Sequence, residues 1–285
     1  MAAWRDAAAL GARIADASAP PLVMGILNVT PDSFSDGGEF QDLPPALAYG
    51  LAMVEAGAAL IDVGGESTRP GACAVAEAAQ IARVVPVIAA LGGQLPEDVA
   101  ISIDTRSAAV AEAAITAGAR LVNDISAAAD PRMAEVVAAH GVPIVLMHMQ
   151  GTPATMQIAP KYADVVHEVR DFLLGAAARL EGEGVASSQI VLDPGIGFGK
   201  TRQHNLALLA GLEAFVATGY PILLGTSRKR FMGAICREHD PRALVGATCA
   251  TTALGVAAGV RLVRVHDVRE NRQALEVAWA IRRSA

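Results

Sequence analysis

Residues that could do chemistry recur at intervals along this chain, each directly after a short apolar run. The first such run starts near Met24 and ends at Asn28, and the loop after it carries Asp32 and Asp36. The run has the length of a buried strand, and its Thr-Pro-Asp and Asp-Gly-Gly triplets are typical of turns. Parallel α/β enzymes begin a site with such a strand end, although the same residues would also serve a turn that only caps backbone groups.

Polar or ionisable residues follow seven further apolar runs in the same way. They are Asp62 with the segment 64–70, Asp104, Asn123 with Asp124, His148, Asp193, the segment 225–229, and Arg264 with His266 and Asp267. If the runs are parallel strands of one barrel, these residues converge on a single face, where enzymes of that fold build their sites. The pattern therefore favours a catalytic or ligand-binding face.

The residue types indicate what such a face would bind. Two carboxylates and an amide, Asp104, Asn123 and Asp193, suit a flat heterocycle with amino and ring N–H groups, but could also form a structural network between strands. Positive charge suited to a phosphate or carboxylate is supplied at other strand ends by Arg69, Lys229, Arg264 and His266. Salt bridges to nearby aspartates are the alternative role for each of these basic residues.

The elements that must position these residues are eight strands separated by Ala-rich helical stretches. We predict strands at 21–27, 58–63, 99–103, 120–122, 142–147, 189–192, 221–224 and 261–265. Continuous apolar strands alternating with helices predict a parallel sheet covered on both faces, and eight of them predict a single (β/α)8 TIM barrel. An open doubly wound sheet is the alternative. No linker divides the chain, so we predict an N-terminal extension at 1–20 and one catalytic domain at 21–285.

Composition limits the possible partners and compartments. The 285 residues are 53% hydrophobic, carry a net charge of −6 and include no long basic run, which argues against nucleic acid as a partner. The uncharged segment 243–260 is dominated by Ala, Gly and Thr, so we predict helix packing rather than a membrane span. Three scattered cysteines, Cys73, Cys236 and Cys249, and the lack of a secretory signal predict reduced, mostly buried thiols in a cytoplasmic protein.

Two familiar motifs are only approximated. The segment 193–201 resembles a phosphate-binding P-loop, but Pro194 stands where the first glycine should be. The six histidines show none of the spacings typical of zinc sites. A divalent cation bound by oxygen ligands and substrate phosphates is therefore the more plausible metal.

Taken in order, the segments at the strand ends resemble dihydropteroate synthase, the folate-pathway enzyme that sulfonamides target. The resemblance runs from Val23 to about Ala274 and rests on eight segments in the correct order: MGILNVTPDSFSDGG (24–38), IDVGGESTRPGA (61–72), SIDT (102–105), NDIS (123–126), LMHMQGTPATMQ (146–157), LDPGIGFGKTRQHN (192–205), LLGTSRKRFMG (223–233) and RVHDV (264–268). It implies that a TIM barrel joins 6-hydroxymethyl-7,8-dihydropterin pyrophosphate to p-aminobenzoate, giving 7,8-dihydropteroate and pyrophosphate.

The resemblance also implies a role for individual residues. The expected pterin-binding residues are Asp104, Asn123, Ile125, Met147, Asp193, Phe198, Gly225, Lys229 and Arg264. The expected p-aminobenzoate-binding residues are Phe34, Thr68, Arg69, Pro70 and Ser227. Pyrophosphate is expected at Asn28, Arg69, Arg264 and His266, and Mg²⁺ at Asn28 and Asp36. The residues expected to be catalytic are Asp104, Lys229, Arg264 and Asp36.

The implied chemistry needs no nucleophilic side chain. An electron-rich pterin can lose pyrophosphate in an SN1-like step, so the protein must stabilise the departing anion, hold the cation and position the amine. Segments 31–38 and 64–72 are expected to be lids that exclude water. The alternatives are a pterin-dependent corrinoid methyltransferase and a non-catalytic pterin-binding paralogue. The small residues of 243–259 further predict a symmetric homodimer.

Overall fold

Eight parallel strands alternate with helices along the chain. The computed structural model describes residue 4 and residues 6–30, 43–67 and 74–284. The strands are β1 (Leu22–Asn28), β2 (Leu60–Gly64), β3 (Ala100–Asp104), β4 (Leu121–Asp124), β5 (Ile144–Met147), β6 (Ile190–Asp193), β7 (Leu223–Leu224) and β8 (Leu262–Val265). Each lies within a residue or two of a predicted run, so all eight predicted strands are confirmed.

The strands form a single barrel. They pair in the order β6-β5-β4-β3-β2-β1-β8-β7, and β1 pairs with both β2 and β8. The remaining gap is narrowed by a parallel bridge between Leu192 and Ile222 and by the bond from the Leu192 N–H to the carbonyl of Pro221, 2.9 Å. The predicted (β/α)8 TIM barrel is confirmed, and the open doubly wound alternative is wrong.

Helices cover the outside of the barrel and its amino end. In the described part of the chain they are α1 (Ala7–Ala15), α2 (Leu43–Glu55), α3 (Glu77–Gly92), α4 (Ala108–Ala117), α5 (Met133–His140), α6 (Val165–Gly182), α7 (Arg202–Ala210), α8 (Leu212–Val216), α9 (Arg230–Cys236), α10 (Val245–Ala258) and α11 (Val268–Arg283). None of the helices described is long and apolar enough to cross a membrane. The segment 243–260 instead supplies α10, which packs against α11.

Side chains of each strand alternate between two cores, and this alternation positions the site. Val23, Ile61, Ile103 and their equivalents face the helices, whereas the second cluster fills the inside of the barrel with Leu22, Met24, Leu60, Ala100, Leu121, Val145, Val191, Leu223 and Leu262. Successive residues of a strand point to opposite faces. Beyond this apolar layer, the inward-pointing residues near the carboxyl ends therefore include the polar side chains of Asp104, Asn123, Asp193 and Arg264.

Helix α1 closes the opposite, amino end of the barrel. Leu10 and Ile14 are fully buried in the inner cluster, and the Asp6 carboxylate caps the helix by accepting from the Ala8 N–H, 3.0 Å. Arg261, at the start of β8, donates to the carbonyls of Ile14, Asp16 and Ala19. The segment predicted as an extension thus contributes side chains to the barrel core.

The cysteine prediction needs a correction. Cys236 is exposed and Cys249 is half-buried, both as free thiols, so the expected burial is wrong for Cys236, which ends α9 on its solvent side. Cys73 lies outside the described residues.

Candidate active site

The carboxyl ends of the strands gather the predicted polar residues on one face. Buried there are Asp104, Asn123, Ile125, Met147, Asp193 and Ser227, and partly buried are Asn28, Phe198, Gly225, Lys229, Arg264 and His266. Because parallel strands end at the same edge, residues as distant in the chain as Asp62 and Arg264, which are 202 positions apart, become neighbours. The structure thus brings together the described members of the predicted site.

An arginine at the end of β8 links two carboxylates inside the barrel. The Arg264 Nε donates to Asp62 Oδ2 at 2.6 Å, and one Nη donates to Asp104 Oδ2 at 2.7 Å. The Asn123 amide donates to the same Asp62 oxygen at 3.0 Å. The network predicted as the structural alternative therefore exists, and it orients three of the predicted pterin-binding residues.

Asp193 and Lys229 form the second half of the polar face. Asp193 Oδ1 accepts from the Gly195 N–H at 2.7 Å, which leaves Oδ2 on the side of Gly225, 3.8 Å from where a β-carbon would stand on that glycine. The Lys229 ammonium lies over the Phe198 ring, 4.1 Å from its centroid, in a cation–π contact. A β-carbon at Gly197 would meet the Lys229 side chain at 3.0 Å. Glycine at 197 therefore lets the Lys229 side chain pack against the loop, and glycine at 225 places no side chain over Asp193 Oδ2.

Burial shifts the pKa values of the ionisable side chains on this face. Burial raises the pKa of Asp104 to about 7, against the opposing charge of Arg264, and raises that of Asp193 to about 6. Burial and the nearby Arg264 lower the pKa of Lys229 to about 8. Near neutral pH the face holds both charged and neutral forms, as functional sites often do, and it can both accept and donate hydrogen bonds to a heterocycle.

A second cluster joins the loops after β7 and β8. Ser227 Oγ and His266 Nδ1 lie 2.9 Å apart, and the His266 backbone N–H donates to the same hydroxyl at 3.1 Å. Arg228 binds Asp267 through Nε, 3.0 Å, and through one Nη. Ser227, predicted to bind p-aminobenzoate, and His266, predicted to bind pyrophosphate, are therefore adjacent and share a hydrogen bond.

Several strand-end residues serve the fold instead of the open face. Asp124 points out of the barrel and accepts from Ser126 and from the Ala128 N–H, a turn-capping role. His148 contacts Lys200 at 2.9 Å, and Asp267 pairs with Arg228. The position of Asp124 follows from strand alternation, because it is the outward neighbour of the inward Asn123.

Part of the predicted site lies outside the described residues. This applies to Phe34, Asp36, Thr68, Arg69 and Pro70, to all of segment 31–38, and to residues 68–72 of the second lid segment. The predicted roles of these residues remain predictions.

Two buried residues contact the site although neither was predicted from the sequence to have a binding role. Asp62 is fully buried, binds Arg264 and Asn123, and its Oδ1 has no hydrogen-bond partner in the described part of the chain. Lys200 is 3% exposed and bonds to the backbone behind Phe198. Asp62 was predicted as a polar residue at a strand end, and its inward position two residues before the end of β2 would have indicated its contact with the site. For Lys200 the only sequence signal was the imperfect P-loop pattern.

Comparison with known proteins identifies the class. Residues 24–266 match the family model of the pterin binding enzymes. This stretch spans most of the chain. It includes all eight strands, apart from the first two residues of β1, and the whole polar face. The chain therefore belongs to the pterin binding enzyme family.

Individual relatives narrow the class. The dihydropteroate synthase of a Synechocystis strain is 48% identical over 260 residues, which are 91% of this chain and 89% of the relative. A Yersinia pestis dihydropteroate synthase solved with a sulfonamide drug superposes with a TM-score of 0.88 at 44% identity, covering 95% of this chain and 96% of the other. The Xanthomonas albilineans enzyme with 7,8-dihydropteroate gives 0.83 at 41% identity, covering 92% and 94%.

Within the pterin binding enzymes, the chain groups with the dihydropteroate synthases, which are transferases. The named relatives favour this enzyme over the corrinoid methyltransferase and the non-catalytic paralogue that the sequence left open.

Proposed function

We propose that this chain condenses 6-hydroxymethyl-7,8-dihydropterin pyrophosphate with p-aminobenzoate at the carboxyl end of its barrel. The observation that carries the proposal is the inward-facing set of Asp104, Asn123 and Asp193 beside Lys229 and Arg264, because it offers both acceptors and donors to a flat heterocycle. The reaction forms a C–N bond between the amine and the pterin methylene. The C–O bond to pyrophosphate breaks, the pyrophosphate keeps the electron pair, and the amine loses a proton.

The pterin ring is proposed to lie in a pterin slot formed by Phe198, Lys229 and Asp193. Asp104, Asn123 and Asp193 would bind its polar edge, Met147, Ile125 and Gly225 would line the slot, and Arg264 would lie near the ring. This placement is supported by the 4.1 Å contact of Lys229 with Phe198 and by the space left at Gly225. In an SN1-like route these groups stabilise a delocalised pterin cation without a covalent enzyme intermediate.

The aromatic amine and pyrophosphate are proposed to bind beside one another. Ser227 would donate to the p-aminobenzoate carboxylate together with Phe34, Thr68, Arg69 and Pro70 around the ring. His266, Arg264, Asn28 and Arg69 would bind the pyrophosphate. The hydrogen bond between Ser227 and His266 supports adjacent sites, because it links the residue proposed for one anion to the residue proposed for the other.

Asn28 and Asp36 are the proposed protein ligands of Mg²⁺. Asn28 ends β1 at the open face, and its Oδ1 lies 3.6 Å from the place a β-carbon would occupy at Gly64, so the glycine keeps this oxygen accessible. The described residues contain no group of three His, Cys, Asp or Glu side chains that could bind a metal. A single amide fits Mg²⁺ nevertheless, since this ion usually takes one or two protein ligands together with phosphates and water. When bound, Mg²⁺ would neutralise charge on the leaving pyrophosphate.

A second copy of the chain is the proposed partner of α10. Gly246, Ala250, Leu254 and Ala257 are exposed at a spacing of three or four residues, so they form one apolar stripe on this helix, and Leu254 is 65% exposed. Sedimentation at micromolar concentration should give a homodimer for the wild type and a monomer for Leu254→Glu. A monomeric wild type would contradict the proposal. The free thiols of Cys236 and Cys249 support the cytoplasm as the compartment.

The function is tested by incubating the protein with both substrates and Mg²⁺ while pyrophosphate and 7,8-dihydropteroate are measured. We expect equal amounts of both products, and loss of both in Asn123→Ala. No pyrophosphate release would refute the proposal. Positional isotope exchange in the pyrophosphate without added amine would support the SN1-like route, because only that route breaks the C–O bond before the amine attacks.

A further inference from the structure

Lys200 is a buried lysine for which the proposed chemistry has no use. The chain has three lysines, at 161, 200 and 229. Lys161 is exposed and Lys229 belongs to the pterin slot, whereas Lys200 is 3% exposed and follows the loop of residues 195–199. Burying an ammonium group costs several kcal/mol unless it is well partnered, so its position behind the slot needs an explanation.

Three acceptors surround the Lys200 ammonium. Its Nζ lies 2.9 Å from His148 Nδ1, 3.2 Å from the His148 carbonyl and 2.9 Å from the Phe198 carbonyl. The charged ammonium has three N–H donors and no acceptor, so each donor has a partner. Burial lowers the pKa of Lys200 to about 7, and the charge of Asp193 opposes this shift. Burial lowers the pKa of His148 to about 3, and the neutral ring accepts at Nδ1. These bonds join the end of β5 to the loop that carries Phe198.

The loop is pressed against that strand end more closely than any side chain would permit. A β-carbon at Gly195 would overlap the His148 carbonyl oxygen, at 1.9 Å, and one at Gly199 would approach the Gln150 carbonyl oxygen to 2.5 Å. Both glycines have positive φ, 65° and 61°. The glycines permit this contact, but they do not supply a force for it. The Lys200 hydrogen bonds to the carbonyls of His148 and Phe198 hold the loop in this position, together with bonds from Gln157 to the Gly197 carbonyl and from Tyr162 to the Gly199 carbonyl.

Two walls of the slot depend on this arrangement. The Phe198 carbonyl is bonded to Lys200 while its ring contacts Lys229, 4.1 Å away. Asp193, which precedes the loop, interacts electrostatically with both lysines. A displacement of Phe198 would therefore change the ring wall and the position of the Lys229 charge together, but would leave the Ser227 and His266 cluster untouched.

We propose that Lys200 is a positioning residue of the pterin slot, which acts by holding the Phe198 loop against His148 at the end of β5. The inference rests on the proposed function, because it assumes that a pterin binds in the pterin slot beside Phe198. It assigns to Lys200 an effect on pterin affinity and not on the site of the aromatic amine.

The test compares Lys200→Met with the matched surface control Lys161→Met. We would measure the Kd for 6-hydroxymethylpterin by calorimetry and the KM for p-aminobenzoate by steady-state kinetics. Lys200→Met should raise the Kd for the pterin at least about tenfold, the effect of about 1.4 kcal/mol, and change the KM for p-aminobenzoate less than about threefold. Lys161→Met should change neither. Unchanged pterin affinity, or equal losses for both ligands, would overturn the inference.

A measurement on the wild-type protein covers the case in which Lys200→Met does not fold. With ¹³C placed at the ε-carbon of lysine, the three lysines give three NMR signals, which Lys161→Met and Lys229→Met assign by elimination. Adding 6-hydroxymethylpterin should shift the Lys200 signal and leave that of Lys161 in place. A Lys200 signal that stays in place while that of Lys229 shifts would refute the inference.

Asn123→Ala separates this inference from the proposed function. If Asn123→Ala weakens pterin binding and Lys200→Met does not, only the role of Lys200 is wrong. If Asn123→Ala and Asp193→Asn both leave pterin affinity unchanged, the pterin slot itself is wrongly placed.

Discussion

Replacing Asp193 by Asn should make the fold more stable at alkaline pH, although it removes a proposed pterin ligand. Asp193 is 5% exposed, and burial outweighs its bond to the Gly195 N–H and the charges of Lys229 and Lys200, so that its pKa rises to about 6. Asn is close in shape to the protonated acid and keeps an oxygen for the Gly195 N–H. The variant therefore imitates the form of the residue that the folded state prefers.

The size of the effect follows from the difference between the two pKa values. The carboxyl titrates near 3.8 in the unfolded chain and at about 6 in the folded one, and each pKa unit corresponds to about 1.4 kcal/mol. The charged carboxylate thus lowers the free energy of unfolding by about 3 kcal/mol. Because the folded pKa is the higher of the two, this cost is absent below pH 3.8, grows as the pH rises to about 6 and is constant above that.

Calorimetric melting curves at several pH values would test this reasoning. At about 2 °C per kcal/mol for a domain of this size, Asp193→Asn should melt about 6 °C above the wild type at about pH 8, and the gap should shrink to about 2 °C at about pH 4.5. The exposed Asp98→Asn is the matched control and should show no such trend. A variant that melts below the wild type at pH 8, or a gap independent of pH, would refute the argument.

Four further outcomes are expected. Lys229→Met should abolish turnover, because it removes the positive charge that lies over the Phe198 ring in the proposed pterin site. A rate within about threefold of the wild type, as expected for Lys161→Met, would contradict that role. Leu10→Ala should lower the free energy of unfolding by about 2–5 kcal/mol in a denaturant titration and leave both KM values unchanged, and a neutral effect would mean that α1 does not close the barrel. Pterin affinity measured by calorimetry should rise from pH 5.5 to 7 as Asp193 and Asp104 ionise, with pKa values of about 6 and 7. It should fall above pH 8 as Lys229, with a pKa of about 8, loses its proton. A flat profile would contradict these assignments. Removal of Mg²⁺ with EDTA should stop pyrophosphate release, Mg²⁺ should restore it, and full activity in EDTA would exclude the ion.

The sequence predicts the barrel well because its signals are local. The runs that became β2, β3 and β5 are mostly apolar, and Gly, Pro or Asp lies at their ends, so each strand is found without knowledge of its neighbours. The inward set follows from the same information, since alternation along a strand selects Asn123 over Asp124. The resemblance to a family then supplied the roles of these residues.

The remainder depends on contacts between distant parts of the chain. Arg264 meets Asp62 across 202 positions, and Arg261 reaches the carbonyl of Ile14 across 247. No local sequence pattern predicts which distant residue a given arginine will contact. For this reason the sequence predicts neither the role of α1 nor the partner of Lys200. Both depend on which backbone carbonyls lie near a buried cation in the folded barrel: that of Ile14 near Arg261, and that of His148 near Lys200.

The two roles that the sequence offers for Arg264, salt bridge or ligand contact, are compatible. A guanidinium has five N–H donors in a rigid plane, and its bonds to Asp62 and Asp104 use two of them. These bonds fix the plane before a ligand arrives, so little conformational entropy is left to lose on binding. Among the described residues, Asp62 makes side-chain hydrogen bonds to Arg264 and Asn123, while Asp104 lies at the open face. The structural network is therefore the means by which the strand ends present an already oriented set of donors and acceptors to the pterin.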